Sequence, residues 1–200
     1  MIMPLSLPRR KFLTYLGLGT LGWQTASFAS RPSASSIFTP ESKIITPDSI
    51  ARSQNQLPEF QGISEWMNSA SPVTTKDLLG KVVLVQIWTL GCINCQRTLP
   101  YVTSWHKKYA AKGLQTIGIH TPEFPFERDS KNIRRAIARH GITYPVGVDN
   151  DFQTWKAFKN EYWPHLFLAD RQGIIRYDHI GEGAYDETES KIRQLLGQRA

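Results

Sequence analysis

Cysteine is nearly absent. The 200 residues hold two, Cys92 and Cys95, three positions apart. A disulfide staple joins distant segments, because closing a long loop is what restricts the unfolded chain. A bridge across three positions closes almost no loop, so the pair excludes a disulfide scaffold and leaves redox chemistry or metal binding. Long apolar runs are also lacking. The most apolar early stretch, Phe12 to about Trp23, is broken by Gly17, Gly19 and Gly22. That is too short and too polar for a membrane span, which takes about 20 apolar residues. Basic runs are missing from the body of the chain. The formal charge is +7, and three of those charges (Arg9, Arg10 and Lys11) lie in the first eleven residues, where no acid occurs. Without them the excess is about +4. A mild excess of this kind favours solubility and argues against nucleic-acid binding. No second Cys-x-x-Cys and no closely spaced His pair occurs among the five histidines, so a tetrahedral zinc site lacks ligands.

The N-terminus carries a positive region, a weakly apolar core and the small-residue run Ser27-Phe28-Ala29. This pattern predicts a secretory signal over residues 1–29, cleaved after Ala29, with an uncleaved anchor as the alternative. Arg9-Arg10 followed by Lys11-Phe12-Leu13 is similar to a twin-arginine signal, with Pro8 where Ser or Thr is usual. Residues 30–56 are rich in Pro, Ser, Gln and Thr without periodicity and read as a flexible linker. The folded domain is expected over 57–200, with Phe60, Ile63 and Trp66 as early apolar anchors.

Within that domain, Lys81–Trp88 is a β-branched run broken only by Gln86, which predicts a strand buried on both faces. A short loop follows, then a helix from about Cys92 towards Ala111, kinked by Pro100 and stopped by Gly113. Leu114–His120 reads as a strand, Asp129 to His140 as a helix, Tyr144–Val148 as a short strand and Gln153–Asn160 as a short helix. His165–Ala169 and Ile174–Ile180 flank the turn signal Asp170-Arg171-Gln172-Gly173, and a last helix runs from about Tyr185 to Leu196. Alternating strands and helices that end in a hairpin predict an α/β sheet with helices on both faces.

A strand, a loop and a helix opening on Cys92-Ile93-Asn94-Cys95 carry the chemistry. At a helix N-terminus, unpaired N–H groups and the positive dipole end favour a thiolate on Cys92. A lowered pKa raises the nucleophilic fraction at neutral pH. Cys95, one turn on, can then attack Cys92 and resolve a mixed disulfide.

The run Trp88-Thr89-Leu90-Gly91-Cys92-Ile93-Asn94-Cys95, with Pro100 five residues later, resembles a thioredoxin active site. The extended text through Tyr101, then His120-Thr121-Pro122-Glu123-Phe124-Pro125-Phe126-Glu127 and Tyr162-Trp163-Pro164, resembles the thioredoxin-like domain of DipZ-type proteins. These belong with the TlpA/ResA-like exported oxidoreductases of the redoxin superfamily. The resemblance implies a thioredoxin fold, a central mixed β-sheet flanked by helices, with a TlpA-like N-terminal extension and central insert. It implies a cis bond before Pro164, facing the cysteine pair and exposing the backbone of Trp163 to a substrate strand. Trp88, Ile93, Asn94 and Trp163 are the expected substrate contacts, with Trp163 shaping the groove. Where thioredoxins commonly carry a buried Asp, this chain has Gln86, which cannot titrate. Glu123 is therefore the first candidate for assisting proton transfer at Cys95, and Glu127 the second.

The resemblance implies a monomeric reductant of disulfides in exported proteins, without cofactor or metal, in the periplasm or a thylakoid lumen. Electrons are expected from a membrane thiol donor of the CcdA/DsbD kind. Copper binding or delivery on the same fold, through His120 or His165, is the sharper alternative, and a thiol peroxidase is another. Arg134, Arg135 and Arg139 read as a solvated helix face, or as a surface for an acidic partner.

Overall fold

The structure, a computed structural model, describes residues 55–197. The expected signal over 1–29 and nearly all of the 30–56 linker lie outside the described residues.

Strand β2 (Val82–Trp88) is buried at every position. Successive side chains of a strand point to opposite faces. Accordingly Val82, Leu84 and Trp88 enter one apolar cluster, and Val83, Val85 and Ile87 enter another. Gln86 shares the face of Leu84 and Trp88, and it too is fully buried. A strand apolar on both faces belongs at the centre of a covered sheet. β2 sits there, between β3 (Leu114–His120), which runs parallel to it, and β5 (His165–Ala169), which runs antiparallel. β6 (Ile175–Ile180) completes the hairpin with β5, and β4 (Val146–Val148) extends the sheet beyond β3. A three-residue strand, β1 (Glu65–Met67), closes that edge, giving the order β1-β4-β3-β2-β5-β6.

Helix α1 (Ile93–Tyr109) continues across Pro100, passes into a 3-10 turn and stops at Gly113, whose φ of 101° suits glycine. It buries Leu99, Val102, Trp105 and Tyr109 against the Leu84/Trp88 face. α2 (Ser130–Arg139) adds Ile133, Ala136 and Ile137 to the same cluster, and α4 (Tyr185–Leu195) adds Ile192. The Asp129 carboxylate caps α2 by accepting from the Lys131 N–H at 2.8 Å. On the other face lie α3 (Gln153–Ala157), the segment from Leu57 to Leu78 and Phe158. α3 is one turn shorter than the sequence predicts. The sheet is mixed and flanked by helices on both faces, as expected.

Register fixes the place of the cysteines. Trp88 pairs with His120, so β2 and β3 end side by side. The loops leaving both strands therefore meet at one end of the sheet. Such carboxyl ends of parallel strands are where α/β sheets hold their reactive groups.

Candidate active site

Cys92 is the N-cap of α1, and Cys95 lies in its first turn. Both are free thiols. The Cys92 Sγ accepts from the Cys95 N–H at 3.1 Å. Cys92 is half-buried, and its pKa is lowered to about 7. The first cause is the hydrogen bond from the Cys95 side chain, followed by the N–H groups of Cys95 and Asn94; burial opposes them, as does the charge of Glu123. Cys95 has 0% exposure. Burial first, and then its bond to Cys92, pushes its thiol well up; a backbone contact from Thr89 opposes this, and the charge of Glu127 adds to it. The pair is thus asymmetric: one accessible thiolate at neutral pH and one protected thiol.

The loop before Cys92 is held by groups arriving from the end of β3. The Leu90 N–H donates to His120 Nε2 at 3.3 Å, and the Thr89 hydroxyl lies 3.4 Å from the same nitrogen. The Gly91 N–H donates to Glu127 Oε1 at 2.7 Å. From α1, the Gln96 amide donates to the Leu90 carbonyl at 2.9 Å. Every residue of the three-residue loop is therefore tied. Glu127 has 0% exposure and is satisfied entirely by backbone, since its Oε2 accepts from the Glu123 and Phe124 N–H groups at 2.5 and 2.8 Å. A one-turn 3-10 helix, Pro125–Arg128, turns that carboxylate inward. His120 is held neutral: burial drives its pKa to about 4, against the opposing charge of Glu127. Its Nε2 accepts from Leu90, so the proton sits on Nδ1.

The Trp163–Pro164 bond is cis, as the resemblance implies. The Trp163 indole is turned inward, packed on Trp155 with ring centroids 4.2 Å apart and donating to the Thr121 carbonyl at 3.1 Å. Asp149 fixes Trp155 by accepting from its N–H at 2.8 Å and from those of Gln153 and Thr154. The exposed aromatic beside the cis bond is Tyr162, at 56%. Beyond the bond, His165 lies between Asn160 Oδ1 at 2.5 Å and Asp178 Oδ2 at 3.0 Å.

These placements revise several expectations. Trp88 is fully buried and meets His120 edge-on at 5.2 Å, so it supports the loop and cannot touch a substrate. Ile93, at 57% exposure, and Asn94 are open to solvent beside Cys92, where a partner can reach them. Trp163 shapes its surroundings from within, and Tyr162 takes the surface position expected of it. Glu123 is exposed and acts on Cys92, whereas Glu127 is the carboxylate buried beneath the loop. His120 and His165 are each engaged inside the domain. Among the described residues, no group of three or more His, Cys, Asp and Glu side chains is placed to hold a metal ion. The roles of Gln96 and Thr89 went unread because loop anchoring leaves no periodic signal. The sequence run from His120 to Glu127 did contain both clamping side chains.

Comparison with known proteins agrees with this geometry. The sequence model of the Redoxin family matches residues 52–196. The chain is 44% identical over 141 residues to protein DipZ of Mycobacterium bovis, a match covering 70% of this chain and 20% of that protein. It therefore spans about a fifth of the length of that relative. It is 30% identical over 143 residues to the thiol-disulfide oxidoreductase YkuV of Bacillus subtilis, covering 71% of this chain and 95% of YkuV. A solved thioredoxin-like protein in its oxidised form superposes with a TM-score of 0.65 at 30% identity, over 72% of this chain and 95% of that one. The fold is thioredoxin-like, and the chain belongs to the redoxin family of thiol–disulfide oxidoreductases.

Proposed function

We propose that this chain is an exported reductant of protein disulfides, recharged by a membrane thiol donor of the CcdA/DsbD kind. The observation that carries the redox reading is the asymmetry of the pair, an accessible Cys92 with a pKa of about 7 over a buried Cys95 with a raised one. Cys92 thiolate attacks one sulfur of the substrate disulfide. That S–S bond breaks, a mixed disulfide forms, and the released thiolate takes a proton from water. Cys95 then loses its proton as it attacks Cys92 Sγ. The mixed disulfide breaks, and the second substrate thiolate leaves and takes up that proton. Two electrons pass from the dithiol to the substrate, and Cys92–Cys95 is left oxidised. The backbone before cis-Pro164, with Ile93, Asn94 and Tyr162, supplies the surface against which the substrate strand lies.

The degree of thiolate stabilisation supports the proposed direction. A first thiol held at about 3.5 stabilises the reduced form so strongly that the protein oxidises others, whereas thioredoxin's stands at about 7. Cys92 falls with the second group. Glu127 acts here as a positioning residue, holding Gly91 and hence Cys92 at the helix start. Insulin reduction with dithiothreitol as donor tests the activity. Wild type accelerates precipitation of the insulin chains, and Cys92→Ser abolishes the effect; a Cys92→Ser protein as active as wild type refutes the reading.

Export rests on Arg9, Arg10 and the small-residue run ending at Ala29. Residues 1–29 fused to a reporter that is active only after export carry it across the membrane. Arg9→Lys with Arg10→Lys blocks this if the twin-arginine route is used, and unimpaired export of the double variant contradicts it.

A further inference from the structure

A cavity of about 340 Å³ opens beside the loop that carries Cys92. Leu90 and Phe126 form its active-site end, and Ala136, Arg135, Arg139 and His140 continue it along α2. It adjoins the loop that leads into Cys92, where a methyl group built on Gly91 would stand 3.5 Å from the Phe126 ring. That ring is 53% exposed and stacks on Phe124, also exposed, with centroids 6.1 Å apart. An apolar end thus lies beside Gly91, the residue that precedes the nucleophile. The far end is cationic. Arg134, one residue away, pairs with Glu65. Arg135 and Arg139 have no carboxylate partner among the described residues; Arg135 reaches only the Asn132 side-chain oxygen. His140 adds no charge at neutral pH, since burial and then the charge of Arg139 lower its pKa. The carboxylates that precede α2 in the chain are committed elsewhere, Glu127 to three backbone N–H groups and Asp129 to the Lys131 N–H.

Resting on the oxidoreductase reading, we propose that this cavity is a specificity subsite for the protein substrate. It takes an apolar side chain against Leu90 and Phe126 and a carboxylate side chain between Arg135 and Arg139, both from the segment flanking the substrate's reactive cysteine. Charge complementarity selects the occupant. Two guanidiniums above apolar surface favour an acidic polypeptide over a neutral or basic one, and the volume, at the small end of ligand sites, suits one or two side chains.

The test uses two synthetic disulfide peptides that differ only in a Glu or Gln placed a few residues from a Phe and the reactive Cys. The reduced protein's kcat/KM is measured on each, and the ratio within one protein is the readout, so a general loss of activity cancels. Wild type is expected to prefer the Glu peptide about 5-fold at low salt, with the preference shrinking as ionic strength rises. Arg135→Gln with Arg139→Gln brings the ratio to one, and Arg135→Glu with Arg139→Glu inverts it. Equal rates of wild type on the two peptides, or a preference retained by the Gln variant, overturn the subsite and leave the redox reading intact. Failure to reduce either peptide, or a small neutral disulfide such as hydroxyethyl disulfide, overturns the redox reading and the subsite with it.

Discussion

Cys92 and Cys95 are the same chemical group one helical turn apart, and their surroundings give them opposite tasks. The helix start and the Cys95 thiol stabilise a thiolate at Cys92, while full burial protects the thiol of Cys95. Iodoacetamide should therefore modify Cys92 of the reduced native protein with a midpoint near pH 7, and leave Cys95 unmodified until the protein unfolds. Equal labelling of both thiols would contradict the assignment. A Cys95→Ser protein should accumulate as a mixed disulfide with its substrate, visible on non-reducing gels, because the resolving attack is lost. The same shift bears on stability. A thiol whose folded pKa is depressed stabilises the fold fully above its unfolded value of about 8.5, and the contribution is lost as pH falls through about 7. At this scale the pair was legible from spacing and context alone. The two acids were not. Glu123 and Glu127 stand in one loop run, and only the inward turn at Pro125–Arg128 decides that Glu127 lies beneath Gly91.

The element that sets the geometry of the site is the loop from Thr89 to Gly91, clamped by β3 and the segment after it. A glutamine at 127 offers one oxygen where the carboxylate offers two, so Glu127→Gln leaves a backbone N–H facing a donor. We expect it to lower stability by about 1.5–3 kcal/mol in urea unfolding and to shift the Cys92 alkylation midpoint. An unchanged midpoint would reduce Glu127 to a purely structural group. His120 is buried neutral, with its pKa at about 4 against an unfolded value of about 6.5. Below pH 6.5 the unfolded chain binds a proton that the folded chain refuses, so stability falls from there down to about pH 4. Relative to His120→Gln, wild type should lose roughly 3 kcal/mol across that window, and parallel pH–stability curves would contradict this. The strands around this clamp were readable because β-branched alternation is a local signal, and β3 and β5 have the bounds that their sequences suggest. β1 was not, because a three-residue edge strand is defined by a partner some 80 residues away, Val146–Val148.

For the whole molecule, the central strand carries both clusters, and through them the site. Leu84 has 0% exposure, and truncating it to alanine is expected to cost about 2–5 kcal/mol, read as a lowered urea midpoint. The fold class was legible from the order of elements. The joining of two loops at one end of the sheet was not, since it needs the parallel register of Trp88 with His120. That register brings a buried carboxylate and a neutral imidazole to the loop that carries the half-buried Cys92. The thiolate of that dithiol is only moderately stabilised, in keeping with the proposed role as a reductant. The reduction potential of the Cys92–Cys95 couple at pH 7, equilibrated against dithiothreitol or glutathione buffers, tests this most directly. A value near or below about −270 mV, that of thioredoxin, is what the account predicts, and a value near about −120 mV, that of a strong oxidant, would contradict it.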